Sequence, residues 1–497
     1  MSLKDKTHQG LLWSAVQAWG GKAVSLLVFF VLARMLSPEA FGLVALAATV
    51  VAVMQLLLEQ GFAQALIQRE NLDPEHKDTA FWTTLGTGLF LTALGWATAG
   101  PIAAAFGQPD LAPVLVALSA LFVLNALSSV QATLLERDFQ FKALTLRSLA
   151  GLVAGGVAGI GAALAGFGVW ALVAQQLVQE LVSTIVLWRA SAWRPKFRFS
   201  GRHFSDLVRF GASLFALNFV HSAKDESTPL LIGYFLGPAT LGLFTVAERI
   251  ADAVMHMVVA ASAPVALPVF SRLQTDLERM RRVFYQATQL SVCAAFPVFA
   301  GLALLAPELV AVVLGAQWAG VAPVLQVLAL AGLVDSTAFF RGHVITAMGK
   351  PTWRLRQGLL STALHFAFFA IAFRWGVVAI AWAFLARRVV IVPYSLWTVR
   401  QLIGFSWTTY LQQLAGPFVA VAIMAAAVWG TRGLLYSWSA PQAAVIAACA
   451  AAGAIIYIGA LRIIAPELFR RMVELALSLA RPILPPHKTR PASTDEN

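Results

Sequence analysis

The sequence predicts an all-α protein that crosses a membrane about fourteen times, as two parallel six-helix lobes around a central cavity plus two C-terminal helices. Three observations predict this. Hydrophobic residues make up 59% of the chain and charged residues 12%, and the mean hydropathy is +0.75, well above that of an average soluble protein. The apolar residues form runs of about 20, the length of a membrane-spanning helix. Finally, the second half of the chain repeats landmarks of the first.

The apolar runs define the spans in chain order. The first two form a hairpin from Leu11 to Gln68, and the Pro-containing turn Leu36–Leu43 divides it, as re-entry into the bilayer requires. A Gly166-Phe167-Gly168 turn divides the fifth span from the sixth. The predicted spans are 11–34, 41–68, 79–105, 112–134, 147–166, 168–189, 208–235, 241–270, 285–305, 322–346, 355–373, 376–398, 415–431 and 442–461.

Three landmarks recur in the same order at nearly the same offset. Leu36, Pro38, Gly42 and Leu43 recur as Leu236, Pro238, Gly242 and Leu243, Ala112-Pro113-Val114-Leu115 recurs as Ala322-Pro323-Val324-Leu325, and Gly168-Val169 recurs as Gly376-Val377. Six spans separate corresponding points, so both copies have the same orientation and an axis along the membrane normal relates them. Such a repeat is typical of transporters whose two rigid lobes face a shared site.

The repeat predicts four regions. Residues 1–197 form the first lobe with spans one to six, and residues 198–399 form the second lobe with spans seven to twelve. Residues 400–463 hold the two extra helices, and residues 464–497 form an amphipathic helix followed by a disordered tail. The basic and aromatic stretch from Trp193 to Phe204 is the predicted connector between the lobes.

The distribution of charged residues predicts the orientation of the chain in the membrane and excludes some functions. The net charge of +12 comes mostly from Lys and Arg in alternate loops, so those loops and both termini are predicted to be cytoplasmic. The basic residues are spread over many loops without a folded domain to present them, which excludes a nucleic-acid surface. Cys293 and Cys449 both lie in apolar runs, a pattern that predicts neither a disulfide framework nor a metal cluster.

Arg387 and Arg388 are the clearest candidates for a functional site. Both lie near the middle of the twelfth span, where a charge costs about 2.5–3.5 kcal/mol on insertion scales. Their counterparts in the first lobe are Gln179 and Glu180. Adjacent helical residues point about 100° apart, so one of the two arginines is expected to face the cavity. A structural ion pair is the alternative.

The eighth span carries a polar stripe of Glu248, Arg249, Asp252 and His256 at helical spacing. Such a stripe contacts water, protein or substrate and is a candidate for proton coupling, since a carboxylate near an Arg and a His titrates readily. The alternative is an internal pair between Arg249 and Asp252, one turn apart.

Three further residues are candidates for lining the cavity. Lys22 lies within the first span, where the alternative is that its amine reaches the inner interface. Asp335 and Arg341 lie in the tenth span, and their first-lobe counterparts are Asn125 and Gln131. Polar residues at both equivalent positions favour a cavity over lipid.

Several motifs resemble one transporter family. They are the first turn, Glu59-Gln60-Gly61-Phe62, Leu134-Leu135-Glu136-Arg137-Asp138-Phe139, Gly166–Val173 and Leu231–Pro238. The chain resembles the polysaccharide transporter (PST) family, specifically Wzx flippases of the colanic-acid exporter type, within the multidrug/oligosaccharidyl-lipid/polysaccharide exporter superfamily. Glu59 is a candidate cavity residue. Ser227-Thr228 departs from the Asn-Asp type of pair common in related sequences.

The resemblance implies a flippase, not an enzyme, that moves an undecaprenyl-pyrophosphate-linked oligosaccharide across the bacterial inner membrane for exopolysaccharide, lipopolysaccharide or capsule synthesis. Unpaired Arg387, Arg388, Arg341, Arg249 and Lys22 are expected to bind the pyrophosphate. Glu180, Asp252, His256, Asp335 and Glu59 are expected to line the cavity or couple transport to H⁺ or Na⁺, without a cofactor or metal. Expected partners are membrane lipids and the pathway's polymerase and export machinery. The alternatives are a multidrug or cation antiporter and a membrane-embedded glycan polymerase.

Overall fold

The computed structural model describes residues 20–58, 66–67, 73–259 and 263–480, with the backbone alone for 206–225, 263–264 and 475–480. These ranges contain helices and no strand. The helices are α1 (20–35), α2 (Pro38–Gln55), α3 (Pro74–Ala105), α4 (Leu111–Leu118), α5 (Ala120–Arg137), α6 (Phe141–Leu164), α7 (Val169–Ala190), α8 (Gly201–Val258), α9 (Ala263–Arg272), α10 (Leu277–Leu309), α11 (Val321–Thr337), α12 (Arg341–Ala347), α13 (Pro351–Ala372), α14 (Val377–Ile403), α15 (Trp407–Ser437), α16 (Gln442–Ile464) and α17 (Pro466–Ala480).

The fold class is confirmed as that of an all-α, multi-pass membrane protein. Among the described residues, 12 helical stretches are long and apolar enough to cross a membrane. The count of fourteen stays a prediction, because the first predicted span begins before the described residues. In addition, α8 carries most of two predicted spans in one element. Gly237, with φ 80° and ψ 170°, interrupts α8 between them, so α8 has a first arm (201–236) and a second arm (238–258).

We refer to α1–α7 as the first lobe and to α8–α14 as the second lobe. In the first lobe α6 packs along α7 and α3 along α5, and in the second lobe α11 packs against α10 and α14. The helices α15 and α16 pack on each other and on α10. The amphipathic helix expected after residue 464 is present as α17, whereas the predicted tail lies outside the described residues.

The two copies of the sequence repeat meet at one end of the bundle, which we call the Pro38 end. A Cβ atom on Gly42 would lie 1.6 Å from the Pro238 carbonyl oxygen, and one on Gly242 would lie 1.9 Å from the Pro38 carbonyl oxygen. Only glycine permits backbones to approach so closely. The repeated turn therefore forms the contact between α2 and α8, that is, between the lobes.

Hydrogen bonds and aromatic contacts strengthen this closure. The segment after α10 reaches across to the end of α1, where Trp318 Nε1 donates to the Ala33 carbonyl oxygen at 2.6 Å. Arg34 Nη1 donates in return to the Val312 carbonyl oxygen at 2.8 Å. Phe106 of the first lobe meets the ring of Tyr234 edge-on, with centroids 5.7 Å apart. The lobes are therefore held together at the Pro38 end.

Candidate functional site

A polar cavity of about 650 Å³ lies in the second lobe. Its walls come from the second arm of α8, from α9 and from α11–α14. The polar side chains that line it are Asp335, Arg341, His343, Thr346, Arg354, Gln357, Ser361 and Ser395. A cavity with three cationic or imidazole groups, three hydroxyls and one amide is suited to an anionic, hydroxyl-rich ligand.

A second, smaller cavity of about 50 Å³ adjoins the first, since Met255 and Asp335 line both. Its other polar residues are Glu248, Asp252 and Arg388. This space is enough for an ion or a few water molecules but too small for a sugar. Three carboxylates thus share one small site with one guanidinium group.

Arg388 is not the unpaired cation that the sequence predicts. Its Nε lies 2.6 Å from Asp335 Oδ2 on the neighbouring helix α11, and about a quarter of each side chain is exposed, 24% and 27%. Pairing offsets the cost of holding either charge at this depth, which explains why both can be kept there. Arg388 Nη1 is buried and has no hydrogen-bond partner among the described residues, so the paired guanidinium retains a donor beside the cavity.

Arg387 points elsewhere. Its guanidinium lies 5.5 Å from the centroid of the Phe384 ring, and it lines neither polar cavity. The expectation that one of the two adjacent arginines faces the cavity therefore agrees with the position of Arg388. Phe384 in turn packs against His365, whose Nε2 lies 3.3 Å from Thr228 Oγ1.

On the second arm of α8, Arg249 contacts the first lobe rather than Asp252. Its Nη2 donates to Ser25 Oγ at 3.1 Å, and its guanidinium lies 4.4 Å from the centroid of the Phe29 ring. The alternative of an internal Arg249–Asp252 pair is thus not what the structure shows. Arg249 joins α8 to α1, from one lobe to the other.

Asp252 and His256 are exposed, and the charges that act on Asp252 come from both lobes. The charges close enough to act on the Asp252 carboxylate are Arg388, His256 and Lys22, which attract it, and Asp335, which repels it. Lys22, half-buried on α1 of the first lobe, therefore acts across the interface on a carboxylate of the second lobe.

Arg341 is the first residue of α12, directly after the break that separates α11 from α12 within the tenth predicted span. Its Nη1 donates to the Ala338 carbonyl oxygen at 2.8 Å, and its side chain lines the larger polar cavity. The hydroxyl of Tyr410 donates to the Thr337 carbonyl oxygen at the end of α11. This bond ties α15 to the interruption beside the cavity.

The first-lobe counterparts of Arg388 and Arg341 are Glu180 and Gln131. Glu180 makes its polar contacts within the first lobe. Glu180 Oε1 lies 3.5 Å from Arg147 Nη2 and accepts a hydrogen bond from Ser128 Oγ at 3.4 Å. Gln131 is fully buried, and neither atom of its amide has a hydrogen-bond partner among the described residues. Glu180 lines neither polar cavity. Glu59 lies outside the described residues.

An apolar cavity of about 620 Å³ lies on the other side of α11 and α14, where α10 and α15 complete its walls. Apart from Thr337, its lining is hydrophobic. Val334 and Val389 line it, and each is the sequence neighbour of a residue of the Asp335–Arg388 pair. The ion pair therefore lies between a polar cavity and an apolar one.

Sequence reasoning missed His343, Arg354 and Gln357. Arg354 immediately precedes the eleventh predicted span, 355–373, but it lies in α13, where its Nη1 donates to Thr346 Oγ1 at 3.0 Å. A signal was present, because Arg354, Gln357 and Ser361 recur at offsets of three and seven and form a stripe on one helix face.

Comparison with known proteins identifies relatives over nearly the whole chain. A model of the family described as polysaccharide biosynthesis protein matches residues 31–323. The succinoglycan biosynthesis transport protein ExoT of Rhizobium meliloti (strain 1021) is 29% identical over 93% of this chain and 94% of its own. The lipopolysaccharide biosynthesis protein WzxC of Escherichia coli (strain K12) is 24% identical over 84% and 86%.

The fold also resembles that of a solved transporter. Lipid II flippase MurJ in its inward closed conformation superimposes with a TM-score of 0.75 over 93% of this chain and 100% of that chain, at 13% sequence identity. At this identity the likeness shows a shared fold. The predicted resemblance to Wzx-type transporters is confirmed by the family match and by WzxC.

Proposed function

The chain belongs to the polysaccharide biosynthesis protein family, and from that premise we propose that this membrane transporter flips an undecaprenyl-pyrophosphate-linked oligosaccharide across the bacterial inner membrane. The observation that carries the proposal is the polar cavity of about 650 Å³ beside an ion pair at membrane depth. A pyrophosphate and a glycan cannot enter hydrocarbon without losing their hydration, which is costly. The cavity supplies groups that replace this water.

The cationic groups have separate tasks in this proposal. Arg341 and Arg354 line the larger cavity, where a guanidinium can bond two oxygens of a phosphate at once. Arg388 lies deeper, and Asp335 holds it in place. An entering phosphate competes with Asp335 for Arg388, so binding can be coupled to a change in that ion pair. Gln357, Ser361 and Ser395 offer hydrogen bonds to sugar hydroxyls.

The lipid chain requires a different environment from the headgroup. The apolar cavity of about 620 Å³ lies one helix layer away from the polar cavity, and burying prenyl carbons in it is favourable by about 25 cal/mol per Å² of apolar area. We assign the prenyl segment next to the pyrophosphate to this cavity. The rest of the chain extends into the bilayer.

The direction of access follows from charge. Lys350 and Arg354 lie at the end of the second lobe remote from the Pro38 turn, and the positive-inside rule places this end in the cytoplasm. The contact between Gly42 and Gly242 then closes the outer side. In the proposed cycle the substrate enters from the inner leaflet, and the lobes separate at the Pro38 end to release it.

Coupling to H⁺ or Na⁺ is assigned to the small cavity. Glu248, Asp252 and Asp335 face one another there beside Arg388, and carboxylates held together at membrane depth bind a proton or a hard cation readily. Transport should therefore depend on a pH or Na⁺ gradient. Glu248→Gln with Asp252→Asn should abolish that dependence in vesicles with an imposed gradient.

The test compares two arginines of α13 that are two residues apart. Both are exposed, but Arg354 lines the cavity and Arg356 does not. Arg354→Ala should reduce export by about 10- to 150-fold, because a hydrogen bond to a charged group contributes about 1.5–3 kcal/mol. Arg356→Ala, the matched control, should export normally. Export is measured as secreted polysaccharide in cells without their own copy, at equal protein level.

A reconstituted assay separates this function from the alternatives. Vesicles contain the purified protein and a labelled undecaprenyl-pyrophosphate-linked oligosaccharide, and the label's exposure on each leaflet is followed. Movement without covalent change supports the flippase, whereas a longer glycan indicates a polymerase. Transport of an organic cation without movement of the lipid indicates an antiporter. Equal export by the Arg354→Ala and Arg356→Ala variants would rule out the proposed cavity.

A further inference from the structure

The connector between the lobes is bound firmly to the first lobe. Lys196 donates its backbone N–H to Asp78 Oδ1 at 3.1 Å, and Trp82 Nε1 donates to the Lys196 carbonyl oxygen at 2.8 Å. The ring of Phe197 stacks on Trp82 with centroids 4.6 Å apart. After this connector the chain enters α8 of the second lobe. The first turn of α8 is thereby held against the first turn of α3.

A cluster of metal-binding groups lies at this junction. The rings of His76 in α3 and His203 in α8 have centroids 3.8 Å apart and are tilted by 39° to each other. His76 Nδ1 lies 3.5 Å from Asp73 Oδ2. One potential ligand atom from each of Asp73, His76 and His203 lies within 4.8 Å of the other two. None of these residues belongs to the transport site described above.

The separation of Asp73 and His76 fits a tetrahedral metal ion. With bonds of about 2.0–2.2 Å to nitrogen and oxygen, neighbouring ligand atoms are separated by roughly 3.3–3.6 Å. The Asp73–His76 distance of 3.5 Å lies in this range. A metal ion of the zinc type is favoured over Mg²⁺ or Ca²⁺, because two of the three ligands are imidazoles.

The surroundings of His203 support this assignment. Its Nε2 lies 3.6 Å from Glu75 Oε2, so Nδ1 is the nitrogen left for a metal. That Nδ1 atom is buried and has no hydrogen-bond partner among the described residues. A histidine that binds a metal through one nitrogen commonly directs the other to a carboxylate. Glu75 has the position of that outer carboxylate.

Asp73 provides an independent indication. It is the N-cap residue of α3, yet its side chain makes no capping hydrogen bond, although aspartate is among the residues that cap most effectively. Its carboxylate is directed instead at His76. Asp73 also lines a cavity of about 820 Å³ together with Lys77 and Arg137, which offers a metal ion a route to the cluster.

We propose that Asp73, His76 and His203 form a binding site for a zinc-type divalent metal that fixes the start of α8 to the start of α3. The bound metal would link the two lobes through side chains, at the end remote from the Pro38 turn. This site stands independently of the proposed transport function, because its ligands and its test involve no lipid-linked substrate.

The test uses full-length purified protein without a polyhistidine tag, stripped of metal with a chelator and titrated with zinc chloride alone. About one zinc ion per chain is expected, measured by elemental analysis after gel filtration. His203→Gln and Asp73→Asn should each weaken zinc binding by more than the roughly 10- to 100-fold that loss of an outer-shell partner costs. His256→Gln, a histidine elsewhere on α8, is the matched control and should bind zinc normally.

Cobalt gives a second readout, since tetrahedral Co²⁺ absorbs visible light far more strongly than octahedral Co²⁺. The wild-type protein should show this absorption, and His203→Gln and Asp73→Asn, which alter side chains that are not fully buried, should lose it while eluting as folded protein. Absence of zinc binding by the wild type would overturn the proposal. Equal binding by all variants would also overturn it and would leave the two histidines as a packing contact.

Discussion

Replacing Gly242 with alanine should open the Pro38 end. The new Cβ atom would lie 1.9 Å from the Pro38 carbonyl oxygen, whereas ordinary contact begins at 3.4 Å, so the backbones must separate by 3.4 − 1.9 = 1.5 Å. The neighbouring atom belongs to the backbone and cannot rotate away. Overpacking of this kind costs about 1–3 kcal/mol, which shifts a two-state equilibrium by roughly 5- to 150-fold.

The substitution should destabilise the closed state relative to the open state without lowering the stability of the fold. Alanine in a helix interior is favoured over glycine by roughly 0.5–1 kcal/mol, and Gly242 lies within the second arm of α8. The melting temperature of the variant should therefore stay near that of the wild type, while the population with the Pro38 end open increases. A reaction that needs both states would slow because the substrate-accepting state becomes rarer.

Spin labels on the two facing turns measure this shift. Glu39 and Ala239 are exposed, and each can be changed to cysteine after Cys293 and Cys449 are replaced by alanine. Double electron–electron resonance should show longer distances in Gly242→Ala than in the parent. Gly161→Ala is the control, since nothing lies within 4 Å of a Cβ at that position. Unchanged distances in Gly242→Ala, or an equal change in the control, would refute the reasoning.

Three further predictions concern buried polar contacts, each measured by thermal unfolding of the purified protein. Asp335→Asn should destabilise the fold by less than the 3–5 kcal/mol of a fully buried pair, because Arg388 is partly exposed, and adding Arg388→Gln should restore part of the loss. Arg432→Ala should cost about 1–3 kcal/mol, since the fully buried Glu308 carboxylate loses a donor at 2.6 Å but keeps the hydrogen bond from the Tyr436 hydroxyl. Trp318→Phe should cost about 0.5–1.5 kcal/mol, because the Ala33 carbonyl loses its short hydrogen bond from Trp318 and keeps only the longer one from Gln317 Nε2 at 3.4 Å. An effect below about 0.5 kcal/mol in any of the three would contradict that prediction.

The fold could be predicted from the sequence because membrane-spanning helices are recognisable by their apolar composition and their length. The repeated turn was informative for a physical reason, since Gly42 and Gly242 are required where two backbones touch. Helix ends were harder to predict. Arg147 is the first residue of the fifth predicted span and Arg432 follows the thirteenth, but both lie inside the helices α6 and α15, where each is paired with a glutamate. A charge near the end of a span does not reveal whether a partner lies opposite it.

The candidate site was predicted in part. Asp335 and Arg388 could be identified as candidates because charged residues are costly inside a membrane span. Their pairing could not be predicted, because it depends on how α11 packs against α14 and no local sequence pattern specifies that packing. The contact between His76 and His203 could not be predicted from the sequence either, because the two residues are far apart in the chain and neither belongs to a metal-binding motif. Such contacts arise from tertiary packing and become visible only in three dimensions.

The reciprocal contact at the Pro38 end has an implication for ancestry. Gly42 meets Pro238 and Gly242 meets Pro38, so the patch is self-complementary in the manner of an isologous interface between identical subunits. A single six-helix half would carry both members of that contact and could pair with a second copy of itself. This junction, which now lies within one chain, is thus of the kind expected if a homodimer preceded a gene fusion.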